Sequence, residues 1–207
     1  MTARDGLLLA GSYLLGSISF GLLVVRLRDR VDLRTRGSGN PGATNVLRTS
    51  GHWAALLVLL LDIAKGIAPI RLAQVLGTST EVAAGAGLAA IGGHVFPVWF
   101  GFRGGKGVAT GFGAFVALFP LAGAAALALF LAVVAATRYV SLASIVAAAS
   151  VPGLVALTTG RGWSPPVSTT TLVLVGASAA LVLFRHRPNL RRLLAGSESR
   201  LGERRTR

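Results

Sequence analysis

Polar and cationic residues are concentrated in the segment 34–48, RTRGSGNPGATNVLR, although the chain as a whole is 53% hydrophobic and only 14% charged. The glycines of this first polar segment allow backbone N–H groups to converge on an anion. Arg34, Arg36 and Arg48 add planar cationic donors that suit phosphate. The pattern predicts either a phosphate-binding loop or a Gly-rich loop with stop-transfer arginines, and its many directional polar groups favour the first.

A second polar segment covers residues 92–110, GGHVFPVWFGFRGGKGVAT. Its Gly104-Gly105-Lys106-Gly107 sequence precedes an apolar helix, so N–H groups at the helix start are predicted to hold an anion beside the Lys106 charge. The spacing is not that of a Walker A loop, since Gly107 stands where Ser or Thr is required. A third polar segment, 185–198, offers His186, Asn189 and Glu198, and a basic tail continues from it to Arg207.

The composition indicates an integral membrane protein. Soluble domains usually carry about a quarter charged residues, and this chain has several apolar runs near the roughly 20 residues that a spanning helix needs. The formal net charge is +14, and the basic residues lie beside apolar runs. Anionic lipid, an anionic substrate and positive-inside topology therefore explain the charge better than nucleic acid does. The absence of cysteine excludes disulfides and thiolate metal sites.

The apolar runs predict an all-α bundle of about seven spans in a single polytopic membrane domain over residues 1–207. The predicted spans are residues 6–25, 53–76, 80–100, 108–118, 121–136, 140–157 and 168–184. The segment 108–118 is too short to cross a hydrocarbon core of about 30 Å, so it must be sheltered or re-entrant. In span two, Asp62 and Lys65 lie three residues apart on one helical face, which predicts either an internal ion pair or a catalytic role.

The distribution of Lys and Arg predicts the orientation of the chain. Arginines follow the first span densely, so the N-terminus is expected outside and the three polar segments in the cytoplasm. Arg138 and Tyr139 then form a tight cytoplasmic turn. Arg138 and Ser141, at that turn, become candidates for contact with phosphate.

The three polar segments resemble the three motifs of the acyl-phosphate:glycerol-3-phosphate acyltransferase family, the bacterial PlsY type. They are GSGNPGATNVLR (37–48), GHVFPVWFGFRGGKGVAT (93–110) and HRPNLRRLLAGSE (186–198), and they occur in the family's order. The resemblance implies seven spans, an external N-terminus, a cytoplasmic C-terminus and a cytoplasmic active site in the bacterial plasma membrane. It also implies the reaction, in which acyl phosphate and glycerol 3-phosphate give lysophosphatidic acid and inorganic phosphate, the first acylation of phospholipid synthesis.

The resemblance and the residue chemistry together predict the substrate sites. The glycerol 3-phosphate site is expected to contain Ser38, Asn40, Thr44, Asn45, Arg48, Lys106, Arg138 and Ser141. The acyl phosphate site is expected to contain Gly104, Gly105, Gly107, His186 and Asn189. Ser38, Lys106, His186 and Asn189 are the predicted catalytic residues, with Glu198 and His94 in support. Glu198 is expected to anchor arginines, and His94 is either a hydrogen-bonded structural residue or a ligand.

Acyl phosphate carries a good leaving group, so direct attack by the glycerol hydroxyl without an acyl-enzyme is favoured. The hydroxyl proton goes either to a phosphate oxygen or to His186 as general base. No metal or other cofactor and no nucleic acid is expected; the predicted partners are the two substrates, membrane lipid and, functionally, an enzyme that forms acyl phosphate. The rival class is a transporter of an organic phosphate, but its site would lie near the membrane midplane.

Overall fold

The computed structural model describes residues 1–164 and 166–203, and it is entirely helical over these ranges. The last residues of the predicted basic tail, 204–207, lie outside the described part of the chain. Two short 3₁₀ turns are present: Leu33–Thr35 overlaps the start of the first polar segment, and Val98–Phe100 lies within the second. The α-helices of the described ranges are α1 (Ala3–Gly16), α2 (Phe20–Asp29), α3 (Ala43–Ser50), α4 (His52–Val75), α5 (Thr80–Val95), α6 (Val108–Leu118), α7 (Pro120–Thr137), α8 (Val140–Gly160), α9 (Thr169–Arg185) and α10 (Arg187–Leu194).

Five helical segments of the described chain are long and apolar enough to cross a membrane. They are Ala3–Asp29, His52–Val75, Thr80–Phe100, Pro120–Thr137 and Val140–Gly160. A sixth arises if α9 and α10, bent by 54° at their junction, form one broken span. Helix α6 coincides with the predicted segment 108–118, and its 11 residues extend about 16 Å. An apolar helix lies at each predicted location, although the first predicted span is divided into α1 and α2, and the count of seven spans stays a prediction.

The helix ends follow from local sequence. Thr2 and Asp5 form a reciprocal capping box at the start of α1. Ser79 and Ser168 cap α5 and α9 by accepting hydrogen bonds from backbone N–H groups of the first turn. Pro120 occupies the first turn of α7, where its missing N–H costs no helical hydrogen bond. The sharp turn predicted at Pro120 is therefore present.

Close helix pairs depend on glycine. A Cβ added to Gly66 of α4 would lie 2.0 Å from the Thr110 carbonyl oxygen of α6, and one added to Gly113 of α6 would lie 2.1 Å from the Ile63 carbonyl oxygen of α4. Such pairs place helix backbones in direct contact, as is common where small residues line helix interfaces in membranes. Helix α6 is thus fixed against α4, and the Gly-rich loop that precedes α6 starts from a rigid support.

The first predicted span is interrupted between α1 and α2, at residues 17–19. Ser12 and Ser17 are buried, and their hydroxyls donate to carbonyls of α1. The freed carbonyl of Ile18 accepts a 2.7 Å hydrogen bond from Lys65 Nζ. Lys65 Nζ also lies 2.8 Å from Asp62 Oδ1, which confirms the internal ion pair that the spacing predicts.

Candidate functional site

The first polar segment is a loop held in shape by one buried side chain. The amide oxygen of Asn45 accepts from the Ser38 N–H at 2.9 Å, and its amide nitrogen donates to the Arg36 carbonyl at 3.1 Å. Gly37, with φ +57°, lies so close that an added Cβ would meet Asn45 Oδ1 at 2.2 Å. Because both ends of its amide are engaged, Asn45 shapes the loop and leaves the exposed Ser38 hydroxyl to face a ligand.

Asn40 and the start of α3 complete this loop. The Asn40 carboxamide oxygen accepts from the Gly42 N–H at 2.9 Å, which fixes the turn into the helix. Helix α3 begins at Ala43 without a side-chain cap, so its first N–H groups are available to an anion. Thr44 lies in this first turn and Arg48 in the last, where the Arg48 side chain is exposed.

The second polar segment folds back onto the end of α5. Gly104 N–H donates to the Val95 carbonyl at 3.2 Å, and Gly105 N–H donates to the His94 carbonyl at 3.0 Å. Arg185, the last residue of α9, donates from Nη2 to the Gly104 carbonyl at 3.0 Å and from Nε to the Gly105 carbonyl at 3.2 Å. Both glycines therefore lie in a backbone that is fixed on two sides. Lys106 extends from this fixed loop.

His94 lies directly beneath the loop. Its Nδ1 is 3.3 Å from the Thr110 hydroxyl of α6 and 3.6 Å from Asp62 Oδ1 of α4. A Cβ added to Gly105 would lie 2.1 Å from His94 Nε2, so the loop lies against the Nε2 edge of the imidazole. These contacts support the structural alternative for His94 and make it the floor of the loop.

The third polar segment begins at the bend between α9 and α10. His186 is only 2% exposed, and its Nδ1 lies 2.8 Å from the Val182 carbonyl oxygen. A carbonyl can only accept, so Nδ1 carries the proton and Nε2 keeps a free lone pair. Burial and then the Lys106 charge lower the pKa of His186 to about 4, so its ring is neutral at physiological pH.

A continuous chain of polar contacts joins the second and third polar segments. Lys106 Nζ donates to Asn189 Oδ1 at 2.6 Å, although the two residues are 83 positions apart. Asn189 Nδ2 in turn donates to Glu198 Oε1 at 2.6 Å, and Arg192 Nε donates to Glu198 Oε2 at 2.6 Å. The predicted role of Glu198 as an arginine anchor is confirmed. Hydrogen bonds from both partners outweigh the effect of burial, so the pKa of Glu198 lies below its ordinary value.

The electrostatics around Lys106 favour an anionic ligand. Burial is the main reason that the pKa of Lys106 falls to about 8; the Glu198 carboxylate opposes this shift, and the charges of Arg192, Arg48 and Arg185 add to it. Cations from α3, α9 and α10 thus surround one ammonium group. Within the described ranges, Glu198 is the carboxylate that balances these cations, so a phosphate group would relieve their mutual repulsion.

Residues 6–196 match a sequence model of the family described as Glycerol-3-phosphate acyltransferase. The chain belongs to the glycerol-3-phosphate acyltransferase family. Its relatives of that name include one from Synechococcus sp. (strain CC9902), 49% identical over 95% of each chain. Another, from Geobacter sulfurreducens, is 47% identical over 94% of this chain and 96% of the relative.

The fold is similar to that of PlsY, an integral membrane glycerol 3-phosphate acyltransferase. Its crystal structure in the glycerol 3-phosphate form has a TM-score of 0.87 and 40% identity, covering 97% of this chain and 96% of that one. The lysophosphatidic acid form gives a TM-score of 0.85 and 38% identity, covering 97% of this chain and 96% of that one. The all-helical architecture and the apolar helices of this chain are thus those of an integral membrane protein of the glycerol-3-phosphate acyltransferase family.

The structure places three of the residues that the sequence predicts for the acyltransferase site in one chain of contacts. Lys106 contacts Asn189, Asn189 contacts Glu198, and Lys106 also experiences the charges of Arg48 and Arg185. One of the two candidates at the α7–α8 turn makes a different contact. Arg138 does not lie free to contact phosphate, because its guanidinium donates to the Leu201 carbonyl at 3.1 and 2.6 Å.

Ser141, the second candidate at this turn, is buried. Its hydroxyl lies beside the Glu198 carboxylate in a geometry that does not make a hydrogen bond, so it has no partner among the described residues. Its direct access to glycerol 3-phosphate stays a prediction.

Two contributors to the site were missed by sequence reasoning. By its sequence position, Arg185 is only a basic residue at a span end, yet it holds the carbonyls of Gly104 and Gly105. Arg192 was not singled out, yet it fixes one oxygen of Glu198. The sequence signal for Arg185 is its position one residue before His186. Its charge alone does not reveal that it contacts a loop 80 residues earlier in the chain.

Proposed function

We propose that this protein transfers a fatty acyl group from an acyl phosphate to the sn-1 hydroxyl of glycerol 3-phosphate, forming lysophosphatidic acid and inorganic phosphate. We propose further that it does so as a single-domain, multi-pass protein of the bacterial plasma membrane, with its site on the cytoplasmic face. The observation that carries the proposal is the 2.6 Å contact between Lys106 Nζ and Asn189 Oδ1, which unites two segments rich in anion-binding groups. Membership of the glycerol-3-phosphate acyltransferase family supports the acceptor.

The acceptor phosphate is proposed to bind between the first and second polar segments. Lys106 and Arg48 supply the charges, and the Ser38 hydroxyl with the first N–H groups of α3 supplies neutral donors. The Asn45 amide holds this loop in shape. A phosphate bound there would place the glycerol hydroxyl near the third polar segment, because Lys106 also contacts Asn189.

The acyl phosphate is proposed to bind against the Gly104–Gly107 loop, His186 and Asn189. The glycerol oxygen attacks the carbonyl carbon, a C–O bond forms, and the bond from that carbon to the phosphate oxygen breaks. Lys106 and polar N–H groups stabilise the oxyanion that develops on the carbonyl oxygen. Phosphate then leaves with the electron pair of the broken bond, so no acyl-enzyme is required.

The hydroxyl proton is proposed to pass to a phosphate oxygen. His186 has a pKa of about 4, whereas the dianion of a phosphate monoester takes up a proton near pH 6. The substrate is therefore the stronger base, and His186 serves mainly to bind and orient through its unprotonated Nε2. General-base catalysis typically contributes about 10²–10⁴-fold, so a fall in kcat of that size in His186→Ala would indicate a general base. A rise in the KM for acyl phosphate would instead indicate a binding role.

The testing experiment measures phosphate release by detergent-purified protein supplied with palmitoyl phosphate and glycerol 3-phosphate. Release should require both substrates, and mass spectrometry should detect one lysophosphatidic acid per phosphate, with the acyl group at sn-1. Palmitoyl-CoA should not replace palmitoyl phosphate. Robust turnover of palmitoyl-CoA by the same preparation would contradict the proposed donor. Uptake of glycerol 3-phosphate into protein-containing vesicles without acyl transfer would instead favour the transporter.

A further inference from the structure

The C-terminal segment after α10 returns to the turn between α7 and α8. We call residues 195–203 the tail strap. Gly196, with φ +67°, ends α10, and the Leu201 N–H donates to the Arg138 carbonyl at 2.7 Å. The Arg138 guanidinium donates back to the Leu201 carbonyl from Nη2 at 2.6 Å. This double contact fixes the far end of the strap to the α7–α8 turn.

A second contact reinforces this anchor. The Arg200 guanidinium donates from Nε to the Tyr139 hydroxyl at 3.2 Å and lies 5.2 Å from the centroid of the same ring. Arg138 itself adopts a left-handed backbone with φ +61°, an uncommon conformation for a residue other than glycine. In this conformation, the Arg138 side chain and the Arg138 carbonyl both contact the tail strap.

Glu198 lies between the two fixed ends of the tail strap. Its side chain is only 9% exposed, and its carboxylate holds Asn189, which contacts Lys106. Among the described residues, the side-chain hydrogen bonds of Arg138 and Tyr139 reach the strap and not Lys106 or Asn189. The anchor therefore reaches the site by way of the strap and Glu198, beside which the Ser141 hydroxyl of the same turn also lies.

We propose that Arg138 is a positioning residue, and that its hold on Leu201 keeps the Glu198 carboxylate against Asn189 and thereby sets the place and charge state of Lys106. The inference rests on the proposed function only for its kinetic consequence, because the position of Glu198 is testable without turnover. It assigns to Arg138 a role in place of the direct phosphate contact that its sequence position suggests.

The charge state of Lys106 reports whether Glu198 is in place. Burial is the largest cause that lowers the pKa of Lys106. The Glu198 carboxylate raises this pKa, and the charges of Arg192, Arg48 and Arg185 lower it further. If the strap detaches, the cations remain and the carboxylate is lost. The pKa of Lys106 must then fall below its value in the parent protein, and the ammonium must lose its proton at a lower pH.

The chain offers an unusually direct measurement, because Lys65 and Lys106 are its two lysines. Protein labelled with ¹³C at lysine Cε gives two NMR signals, and Lys106→Ala assigns them. The Lys106 signal is titrated in the parent, in Arg138→Ala and in a chain that ends at Ser199. The matched controls are Arg161→Ala, which removes an arginine stacked on Trp163, and a chain that ends at Glu203.

We expect a lower pKa of Lys106 in Arg138→Ala and in the chain ending at Ser199, and the parent value in both controls. If the shortened chain does not fold, Arg138→Ala alone decides the matter. An unchanged pKa of Lys106 in folded Arg138→Ala overturns the proposal. That result is independent of activity, so failure of the proposed reaction and failure of the tail strap are distinguishable.

Steady-state kinetics provide the second arm. Loss of the anchor should lower kcat/KM for glycerol 3-phosphate about threefold to tenfold, as expected for one or two lost hydrogen bonds. It should also move the basic limb of the pH profile of kcat/KM to lower pH. A direct contact between Arg138 and phosphate predicts another result. It would raise the KM of Arg138→Ala while leaving the chain ending at Ser199 and the basic limb like the parent, and this outcome refutes the positioning role.

Discussion

Replacement of Lys106 by alanine provides the sharpest test of the site. The ammonium contacts the third polar segment and also experiences the charge of Arg48 from the first. A hydrogen bond to a charged group contributes about 1.5–3 kcal/mol. At about 1.4 kcal/mol per factor of ten, Lys106→Ala should lower kcat/KM for glycerol 3-phosphate about tenfold to hundredfold.

The kinetic parameter that changes identifies the role of Lys106. If the ammonium binds the acceptor phosphate equally in the ground and transition states, the loss appears in KM; if it also stabilises the oxyanion, kcat falls as well. Lys106→Arg should not restore the parent, because a planar guanidinium cannot take the place of a compact ammonium 2.6 Å from Asn189 Oδ1. Arg103→Ala, which removes an exposed cation of the same loop, is the matched control and should stay within about twofold of the parent.

The pH profile of the parent protein tests the role of the Lys106 charge without a mutation. With a pKa of about 8, Lys106 is charged below that pH and loses its proton as the pH rises through it. The value of kcat/KM for glycerol 3-phosphate, which reports the free enzyme, should therefore fall above pH 8, by about tenfold per unit. The kcat profile should fall at higher pH, since bound phosphate stabilises the ammonium. A flat kcat/KM between pH 7 and 9.5, together with an active Lys106→Ala, would refute the reasoning.

Three further predictions follow from individual contacts. Gly105→Ala should reduce acyl transfer strongly, because the new methyl group would overlap His94 Nε2; Gly153→Ala, where a Cβ meets nothing within 4 Å, should retain activity in the same phosphate-release assay. Asn45→Ala should raise the KM for glycerol 3-phosphate and lower the melting temperature, because both loop hydrogen bonds of its amide are lost. Single cysteines at position 40 and at the exposed position 103 should react only from the cytoplasmic side of oriented vesicles, whereas labelling from outside would contradict the topology.

The apolar helices could be predicted from the sequence because each is specified by its own residues. Helix α6 has the predicted bounds of 108–118, and α7 begins at Pro120 as expected. The interruption at residues 17–19 could not be predicted, because no proline lies there and the hydropathy is continuous. It depends on Lys65, which satisfies the Ile18 carbonyl from another helix. Breaks that are compensated by a distant side chain leave no local pattern.

The chemical types in the site could be predicted, but the partner of each cation could not. Lys106, His186 and Asn189 stand out because their motifs combine glycine, amide and charge. The arginines carry no such distinction, since positive-inside topology alone accounts for them. Arg138 was therefore expected at a phosphate, whereas it donates to the Leu201 carbonyl. Arg185 was passed over, whereas it holds two loop carbonyls.

The order of groups in the chain Lys106–Asn189–Glu198 has a functional consequence. If Glu198 paired directly with Lys106, an incoming phosphate would have to displace a carboxylate from the ammonium. The amide of Asn189 lies between them, accepting from Lys106 and donating to Glu198. The ammonium is thereby held in place by a neutral group, and most of its charge remains available to the substrate. Burial and the neighbouring arginines lower the pKa of Lys106 by more than the Glu198 carboxylate raises it. A bound phosphate would therefore supply the further anion that stabilises the charged form.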